Sequence, residues 1–344
     1  MSWISEGDNA QRLAERIKQR QQQKARQRFD ARRIYDAIQE RVVGQGVIAA
    51  RIAKRIEKRS LAKHPRRPIA SILISGPTGT GKTELAKSIA EAVYGNENYM
   101  LTIDCGSLGH DAGTKLLGAD QVYKGSHRGR IPEFLNRYNE GVILFDELEK
   151  AVPTPDAPVA TMLLSLLDEG RIQSGFDGTS YSAAGCIIVM TSNAKQAELA
   201  ELAKRYVKPI QQAGDPFEAD IDLPELDEGV RGILQDGVFA PEFLPRIDFV
   251  STVMPLDDNA RVEILERILK AEFAGYELEI VDLDDTCLDF FAEGIERFSA
   301  GNARDARQWI ERVAGDAIGQ AKQDGAEKVH LQWDGKKLTA SLVN

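Results

Sequence analysis

Cysteine and histidine are scarce in this sequence. Among 344 residues there are three cysteines and four histidines, and neither set has the close spacing of a metal site. The cysteines lie far apart, in or beside apolar segments: Cys105, Cys186 and Cys287. We therefore expect reduced cysteines that serve in packing, and we predict neither a disulfide framework nor a zinc site.

Long apolar runs are also absent. No run approaches the roughly 18 consecutive apolar residues of a membrane-spanning helix. Residues 1–8 lack the basic and then apolar pattern of a secretory signal. From these absences we expect a cytoplasmic protein that does not bind membranes. The length is sufficient for two domains, each with its own hydrophobic core.

Negative charge is scarce only at the amino-terminal end. Residues 1–67 contain 18 Lys and Arg against 7 Asp and Glu, whereas the rest of the chain contains 26 against 46. Such a basic head suits nucleic acid, an acidic partner or the acidic body of a neighbouring subunit. Residues 9–40 contain no Pro or Gly and predict an exposed basic helix. We favour a solvated helix, or a docking helix for an adaptor or a complex, over nucleic-acid binding, because aromatic residues are few there.

A strand followed by a glycine-rich turn is the strongest signal in the chain. The apolar residues of 69–74 predict a buried parallel strand, and residues 76–83 then match G-x-x-x-x-G-K-[ST] at every fixed position. Glycines let backbone N–H groups wrap a triphosphate, and the following helix directs its positive end at the phosphates. The residues expected to hold the nucleotide here are Gly76, Pro77, Thr78, Gly79, Thr80, Gly81, Lys82, Thr83 and Glu84. Among them, Lys82 should reach the β- and γ-phosphates, and the hydroxyl of Thr83 should bind Mg²⁺.

Two more strands end in polar residues that suit hydrolysis. Residues 141–145 are apolar and lead into Asp146 and Glu147, at the carboxyl edge expected of a parallel sheet. We predict that Asp146 holds Mg²⁺ through water and that Glu147 orients and polarises the attacking water. Residues 186–192 predict another strand. Asn193 after it either hydrogen-bonds the γ-phosphate or its water, or is a simple strand-end turn.

The rest of the chain predicts an α/β domain followed by a smaller unit. Residues 171–185 predict a hairpin or loop, and the acidic residues 211–237, with their interspersed Pro and Gly, predict a mobile insertion. Pro255 marks a boundary, after which helices, a short strand and a hairpin are expected. These signals divide the chain into a basic amino-terminal helix, a large nucleotide-binding domain and a small α+β domain: residues 1–40, 41–255 and 256–344.

In their order along the chain, these motifs resemble those of the Clp-type AAA+ ATPases, and in particular the second-ring ATPase module of Clp unfoldases and disaggregases. The similarity covers seven elements between about Arg41 and about Leu342. The matching residues are the adenine-binding motif 41–45, the Walker A residues 76–83, the Walker B residues 142–151, the helix end 166–171, the sensor 1 residues 190–193, the arginine-finger box 241–248 and the sensor 2 residues 301–304.

The resemblance implies both a fold and a mode of action. The implied fold is that of the P-loop NTPases: a parallel five-stranded αβα sandwich followed by a small, mainly helical α+β domain. The implied reaction is Mg²⁺-dependent hydrolysis of ATP in a homo-oligomer, expected to be a hexamer, with Val43 against the adenine. Arg246 would reach the γ-phosphate bound by the adjacent subunit, where such a residue accelerates hydrolysis by roughly 10³–10⁵-fold. Arg304 would contact the same phosphates from the small domain, with Arg307 as the alternative. For Arg246 and for Arg304, a surface salt bridge is the other interpretation.

The resemblance also places Tyr123 and Lys124 on a pore loop, with which the family grips an unfolded polypeptide. An aromatic ring grips a chain without reading its sequence, although a Tyr packed on its own domain is the alternative. We therefore expect an ATP-driven ring motor that unfolds or remodels protein substrates through a central pore. No coupled peptidase is expected, because the docking tripeptide of protease-coupled members is absent. Two alternatives stay open: a nucleic-acid-associated AAA+ ATPase, which the basic residues at 124–130 allow, and an assembly scaffold switched by ATP.

Overall fold

A five-stranded parallel sheet forms the centre of the large domain. In the computed structural model, the described residues are 12, 13, 15, 16, 27–62, 66–109, 111–122, 126–152, 157–212, 214–219, 221, 223–297 and 303–343. The strands of this sheet are β1 (Ala70–Ser75), β2 (Met100–Asp104), β3 (Gly141–Asp146), β6 (Cys186–Ser192) and β7 (Phe249–Thr252). They are parallel and lie in the order β2-β3-β6-β1-β7. The predicted five-stranded parallel sheet is confirmed.

The three central strands, β1, β3 and β6, follow directly from their sequences. All six residues of β1, all seven of β6 and the first five of β3 are buried. Strands buried on both faces need near-continuous apolar runs, and these three are mostly apolar. Because the strands are parallel, their carboxyl ends meet at one edge of the sheet, which is where the predicted polar residues follow.

Helices surround the sheet and connect its strands. In chain order they are α1 (Ala31–Arg41), α2 (Gly46–Ser60), α3 (Lys82–Tyr94), α4 (Ala112–Leu117), α5 (Arg130–Tyr138), α6 (Pro158–Glu169), α7 (Gln196–Gln212) and α8 (Pro224–Gln235). An antiparallel hairpin of β4 (Arg171–Gln173) and β5 (Ser180–Ser182) follows α6. The hairpin expected within residues 171–185 is therefore present.

Helix α1 is not the exposed helix that the sequence predicts for residues 9–40. Ala31, Ile34, Tyr35 and Ile38 are buried in the same hydrophobic core as the sheet. The many Arg and Gln residues of this stretch mask the helical spacing of these four positions. The prediction of exposure is thus wrong for α1, which packs as part of the large domain.

Helix α8 replaces much of the mobile insertion predicted for residues 211–237. Leu226, Val230 and Leu234 are fully buried in the large-domain core. These residues recur at intervals of four, so they form one apolar face along an otherwise polar helix. The prediction of mobility is wrong for this part of the segment, because a single apolar face is sufficient to dock the helix.

The small domain combines helices with a three-stranded sheet. Its elements are α9 (Asp258–Ala274), β8 (Glu279–Leu283), α10 (Asp285–Arg297), α11 (Ala303–Gln323), β9 (Lys328–Trp333) and β10 (Leu338–Leu342). Strand β9 pairs with β10 in the antiparallel sense and with β8 in the parallel sense. Buried residues such as Phe273, Trp309 and Ile310 form a core that is separate from that of the large domain. The helices and the hairpin predicted after Pro255 are present.

The three cysteines are free, and each of them is buried. Their expected role in packing is confirmed. Of the helices within the described ranges, none is both long enough and apolar enough to cross a membrane.

Candidate active site

The glycine-rich turn between β1 and α3 has the backbone geometry of a phosphate cradle. Gly76, Gly79 and Gly81 have positive φ angles of 133°, 75° and 88°. A Cβ at Gly81 would lie 2.9 Å from Cγ1 of Val42, and a Cβ at Gly76 would lie 2.4 Å from Cγ2 of Val253. Both the backbone conformation and the available space therefore require glycine. The turn leads directly into α3, whose first N–H groups point toward it.

Lys82 lies inside this turn. Its Nζ donates hydrogen bonds to the carbonyl oxygens of Gly76 (2.8 Å) and Pro77 (2.6 Å). Burial lowers the pKa of Lys82 from 10.5 to about 8, although nearby carboxylates, Asp146 first among them, act in the opposite direction. A buried ammonium of this kind is stabilised by an anion that binds beside it, as a phosphate would.

Asp146 is joined to two hydroxyl groups at the carboxyl edge of the sheet. Thr83 donates from its Oγ1 to Oδ2 of Asp146 at 3.3 Å. Thr191 donates from its Oγ1 to Oδ1 of the same carboxylate. The second contact follows from the strand register, because Phe145 of β3 pairs with Met190 of β6 and the next residue of each strand is therefore opposite.

Glu147 is held both at its backbone and at its carboxylate. Its backbone is left-handed, with a φ of 56°, which is uncommon for a residue other than glycine. Its N–H donates to Oγ1 of Thr191 (3.0 Å), and Asn193 donates from Nδ2 to its Oε1 (2.9 Å). Lys150 forms an ion pair with the other carboxylate oxygen. Unusual backbone conformations held by several neighbours concentrate at functional sites.

Glu149 reaches the same cluster. Its Oε1 accepts a hydrogen bond from the backbone N–H of Asn193 at 3.1 Å, whereas its buried Oε2 has no hydrogen-bond partner among the described residues. The sequence analysis included Glu149, Lys150 and Thr191 only within the motif ranges 142–151 and 190–193 and gave none of them a role in the site. The three-residue spacing from Glu147 points to Lys150, and the register of β3 against β6 points to Thr191.

These polar groups line one end of a cleft between the two domains. The cleft has a volume of about 740 Å³, which is typical of ligand pockets. Its other end is apolar and is lined by Val42, Val43, Leu256, Ile264 and Ile268. An apolar slot that continues into a phosphate cradle suits a flat base attached to a chain of phosphates.

The small domain contributes directly to the cleft. Arg304 and Arg307, both on α11, line it. At the start of the same helix, the N–H of Ala303 donates to the carbonyl oxygen of Gly79 at 3.1 Å, so α11 touches the glycine-rich turn. Both arginines proposed as the small-domain contact to phosphate are therefore present in the cleft.

Most of the predicted site residues come together in the structure. Those that line the cleft are Val43, Thr78, Gly79, Thr80, Gly81, Lys82, Thr83, Glu84, Asp146, Glu147, Asn193 and Arg304. Gly76 and Pro77 contribute the carbonyl groups that hold Lys82. The side chain of Asn193 points at a carboxylate, so this residue does more than end a strand.

Three predicted residues are not part of this cluster. Arg246 is not among the described residues that line the cleft, and its Nε instead pairs with Oδ2 of Asp168 at 2.5 Å. The predicted pore-loop residues Tyr123 and Lys124 lie outside the described residues.

A cleft that joins an apolar slot to a phosphate cradle, with a carboxylate held beside it, is typical of the P-loop nucleotide hydrolases. Comparison with known families identifies one family within this class. The model of the AAA domain (Cdc48 subfamily) matches residues 67–250, more than half of the chain. The chain therefore belongs to the AAA domain (Cdc48 subfamily) family, and it is an ATPase.

The similar proteins include Clp chaperones, which confirms the resemblance inferred from the motifs. Chaperone protein ClpB of Bacillus cereus is 33% identical over 287 residues, covering 81% of this chain and 31% of the relative. The mitochondrial chaperone protein ClpB3 of Oryza sativa subsp. japonica is 35% identical over 234 residues, covering 67% and 22%. A closed-state cryo-EM reconstruction of Hsp104 with ATPγS and FITC-casein matches with a TM-score of 0.69 and 26% identity, over 91% of this chain and 51% of that one. The chain thus spans less than a third of the length of these ClpB relatives.

Proposed function

We propose that this chain is the ATP-hydrolysing module of a ring motor that unfolds or remodels protein substrates through a central pore. Its similarity to ClpB chaperones, and to Hsp104 in a structure with casein, supports protein as the substrate. The observation that carries the proposal is the position of Arg246, which lies outside the described lining of its own cleft. We propose that Arg246 completes the hydrolytic site of a second subunit in a homo-oligomer, specifically a hexamer.

Each of the proposed roles within one subunit follows from a position in the cleft. Lys82 neutralises phosphate charge from inside the glycine-rich turn. Glu147 orients and polarises the attacking water, and Asn193 holds its carboxylate while contacting the γ-phosphate or that water. Arg304 contacts the phosphates from the small domain, with Arg307 on the same helix as the alternative.

Thr83 and Asp146 fit a magnesium ion that arrives with the nucleotide. Both offer oxygen ligands, and their side chains already meet at 3.3 Å. Mg²⁺ commonly binds one or two protein oxygens together with substrate phosphates, rather than an all-protein cage. Within the described residues, no group of three or more His, Cys, Asp or Glu could form such a cage. When bound, the ion would neutralise negative charge on the phosphates.

In the proposed oligomer, Arg246 leaves Asp168 and completes the site of the adjacent subunit. The side chains of this pair are about one third exposed, at 32% and 34%. Exposed ion pairs of this type contribute only about 0–1 kcal/mol, so the exchange of partners has a small cost. A guanidinium that moves from a carboxylate to a phosphate keeps its charge-assisted hydrogen bonds.

The charge distribution supports a protein substrate over nucleic acid. Several cations of the basic segment form ion pairs within the large domain: Arg28 with Glu140, Arg32 with Glu218, Arg51 with Asp227, and Arg59 with Asp248. These pairs reduce the positive charge available to a phosphate backbone.

We propose that Tyr123 and Lys124 grip the polypeptide, with no coupled peptidase. We also propose that an adaptor docks on the basic amino-terminal segment. The free cysteines support a reducing, cytoplasmic setting.

The proposal is tested by separating hydrolysis from substrate handling. Glu147→Gln should bind ATP, lose turnover by at least about 100-fold and retain its protein substrate, which mass spectrometry then identifies. Tyr123→Ala should keep ATP turnover but lose remodelling of that substrate. Tyr276→Ala is the matched control, because Tyr276 is an exposed tyrosine of the small domain, and it should leave both activities intact.

Other outcomes of the same experiment would contradict the proposal. If Tyr123→Ala keeps full biological activity while Glu147→Gln loses it, the chain is an assembly scaffold that ATP switches. If Glu147→Gln retains nucleic acid instead of protein, and releases it steeply as salt is raised, the nucleic-acid-associated alternative is correct.

A further inference from the structure

We infer that Gln45 is a positioning residue that links the base-binding end of the cleft to the linker between the two domains. Gln45 is 1% exposed, which is unusual for a polar side chain with no place in the proposed chemistry. Its Nε2 donates to the carbonyl oxygen of Met254 at 2.9 Å, and the N–H of Met254 donates to its Oε1 at 2.8 Å. One side-chain amide thus satisfies both backbone groups of a single residue, as a neighbouring strand would.

The two ends of this contact have different roles. Gln45 closes the turn between α1 and α2, in which Val42 and Val43 line the apolar end of the cleft. Met254 follows β7 and directly precedes Pro255 and Leu256, the linker into α9. The contact therefore joins the turn that lines the base-binding end of the cleft to the linker between the two domains.

Packing reinforces the same connection. Gly44, in the same turn, has a φ of +75°, and a Cβ there would lie 2.4 Å from Cδ2 of Leu256 and 3.1 Å from Cβ of Ala260. The linker thus fits against the turn so closely that only glycine is accommodated. Leu256 also lines the cleft, so one residue touches both the turn and the ligand space.

A second attachment holds the other side of the turn. Arg267, on α9 of the small domain, donates to the carbonyl oxygens of Gln39 and Glu40 at the carboxyl end of α1. A cation at this end of a helix is favourable because it meets carbonyl groups without helical partners. The small domain is therefore connected to the turn both before Val42 and after Val43, so its rotation acts on both sides of these two residues.

It follows that occupancy of the slot and orientation of the small domain are energetically coupled through Gln45. A base that fixes Val42 and Val43 restrains the linker through this amide, and a change in the linker alters the slot. Coupling of this kind is reciprocal, so disrupting it should weaken nucleotide binding as well as the domain response. This inference rests on ATP binding by the chain and not on the identity of its substrate.

The test is a measurement of interdomain distance with and without nucleotide. Ala197→Cys on α7 and Asp316→Cys on α11, both at exposed positions, carry the two dyes for resonance energy transfer, while the native cysteines are buried. In this background, ATPγS should change the transfer efficiency. In Gln45→Leu, which removes both hydrogen bonds at similar size, most of that change should be lost and the Kd for ATPγS should rise at least about fivefold.

Tyr94→Phe is the matched control. Its hydroxyl also makes a buried hydrogen bond, to the carbonyl oxygen of Gly185 at 2.8 Å, but far from the linker. It should lower the Tm while leaving the distance change and the Kd unaltered. If Gln45→Leu behaved in the same way, Gln45 would be merely structural and the inference would be overturned.

A second variant protects the test against misfolding. Gln45→Asn keeps both polar groups but is too short to reach both backbone groups of Met254, so it should fold and still lose most of the distance change. A folded Asn variant with the full change and an unaltered Kd would equally overturn the inference. If the unsubstituted protein binds ATPγS without any change in distance, the coupling is wrong. If it fails to bind at all, the ATPase assignment itself is contradicted.

Discussion

At the scale of single residues, Glu147 is held by three neighbours that its own position in the sequence does not reveal. Asn193 donates a hydrogen bond to one carboxylate oxygen, and Lys150 forms an ion pair with the other. Oγ1 of Thr191 accepts a hydrogen bond from the backbone N–H of Glu147. Left-handed backbone at such a residue costs of order 1–3 kcal/mol, and it persists only where the surroundings determine it. The ion pair with Glu147 raises the pKa of Lys150, so this ammonium stays charged at neutral pH. The carboxylate is therefore oriented before any substrate arrives.

Nucleotide affinity should fall as the pH rises through about 8. In the free protein burial lowers the pKa of Lys82 to about 8, and a bound phosphate stabilises the ammonium and so raises that pKa. Above this pH, binding should therefore take up a fraction of a proton. Isothermal titration calorimetry in buffers of different ionisation enthalpy measures this uptake.

Lys82→Arg supplies the comparison, because arginine stays protonated throughout this range. Its residual binding should show neither the uptake nor the decline in affinity, and a variant that behaves like the unsubstituted protein would rule out Lys82 as the titrating group. The same pKa shift affects folding. Between about 8 and 10.5 the unfolded chain keeps a proton that the folded chain releases, so this residue makes the free energy of unfolding rise with pH.

Among the elements, helix α3 has a left-handed glycine at each end, and these two glycines should respond differently to substitution. Gly81→Ala adds a Cβ 2.9 Å from Val42 at a φ of +88°, whereas Gly95→Ala adds one in open space at a φ of +81°. Each should lower stability by about 1–3 kcal/mol through backbone strain. Only Gly81→Ala should weaken ATP binding, by about tenfold or more, as measured by titration. Equal ATP affinity in the two variants would show that the turn tolerates a side chain.

Helix α8 should be an integral part of the large domain. Leu234→Ala removes a fully buried side chain and should lower the free energy of unfolding by about 2–5 kcal/mol, measured by denaturant titration. Gln235→Ala, at the next and exposed position, should change it by less than about 0.5 kcal/mol. A small effect at both positions would restore the original prediction of a mobile insertion.

The elements also show where sequence reasoning succeeds and where it stops. Strands β1, β3 and β6 were predictable because each is buried on both faces and therefore mostly apolar. Helix α8 and the burial of the predicted helix at α1 were not, because one narrow apolar face lies among Arg, Gln or Asp and Glu. Helix α5 was not predicted either, since its short sequence contains a proline that reads as a break.

The same limit applies to the site. Motif spacing identified Lys82, Asp146 and Glu147, because phosphate and metal chemistry requires those residue types there. The contacts of Glu149 and Gln45 arise between segments more than 40 residues apart in the chain. No local pattern encodes such pairs, and only the folded arrangement reveals them.

At the scale of the whole molecule, part of the uneven charge of the sequence is paired within the fold. Arg28 meets Glu140, and Arg32 meets Glu218 in the acidic stretch before α8. At these two pairs, the basic end contacts the acidic body of the same chain. What the described cleft lacks is a contribution from Arg246, and this leads to the central claim that a neighbouring subunit supplies it.

The most direct test of that claim is the ATP turnover of a mixture of two inactive variants. Glu147→Gln keeps Arg246 but lacks the base, whereas Arg246→Ala keeps the base but lacks the guanidinium. If Arg246 acts on the adjacent subunit, mixed rings contain sites with both groups, and turnover should clearly exceed the sum of the two pure samples. Turnover equal to that sum, in a mixture that gel filtration shows to be co-assembled, would contradict the account.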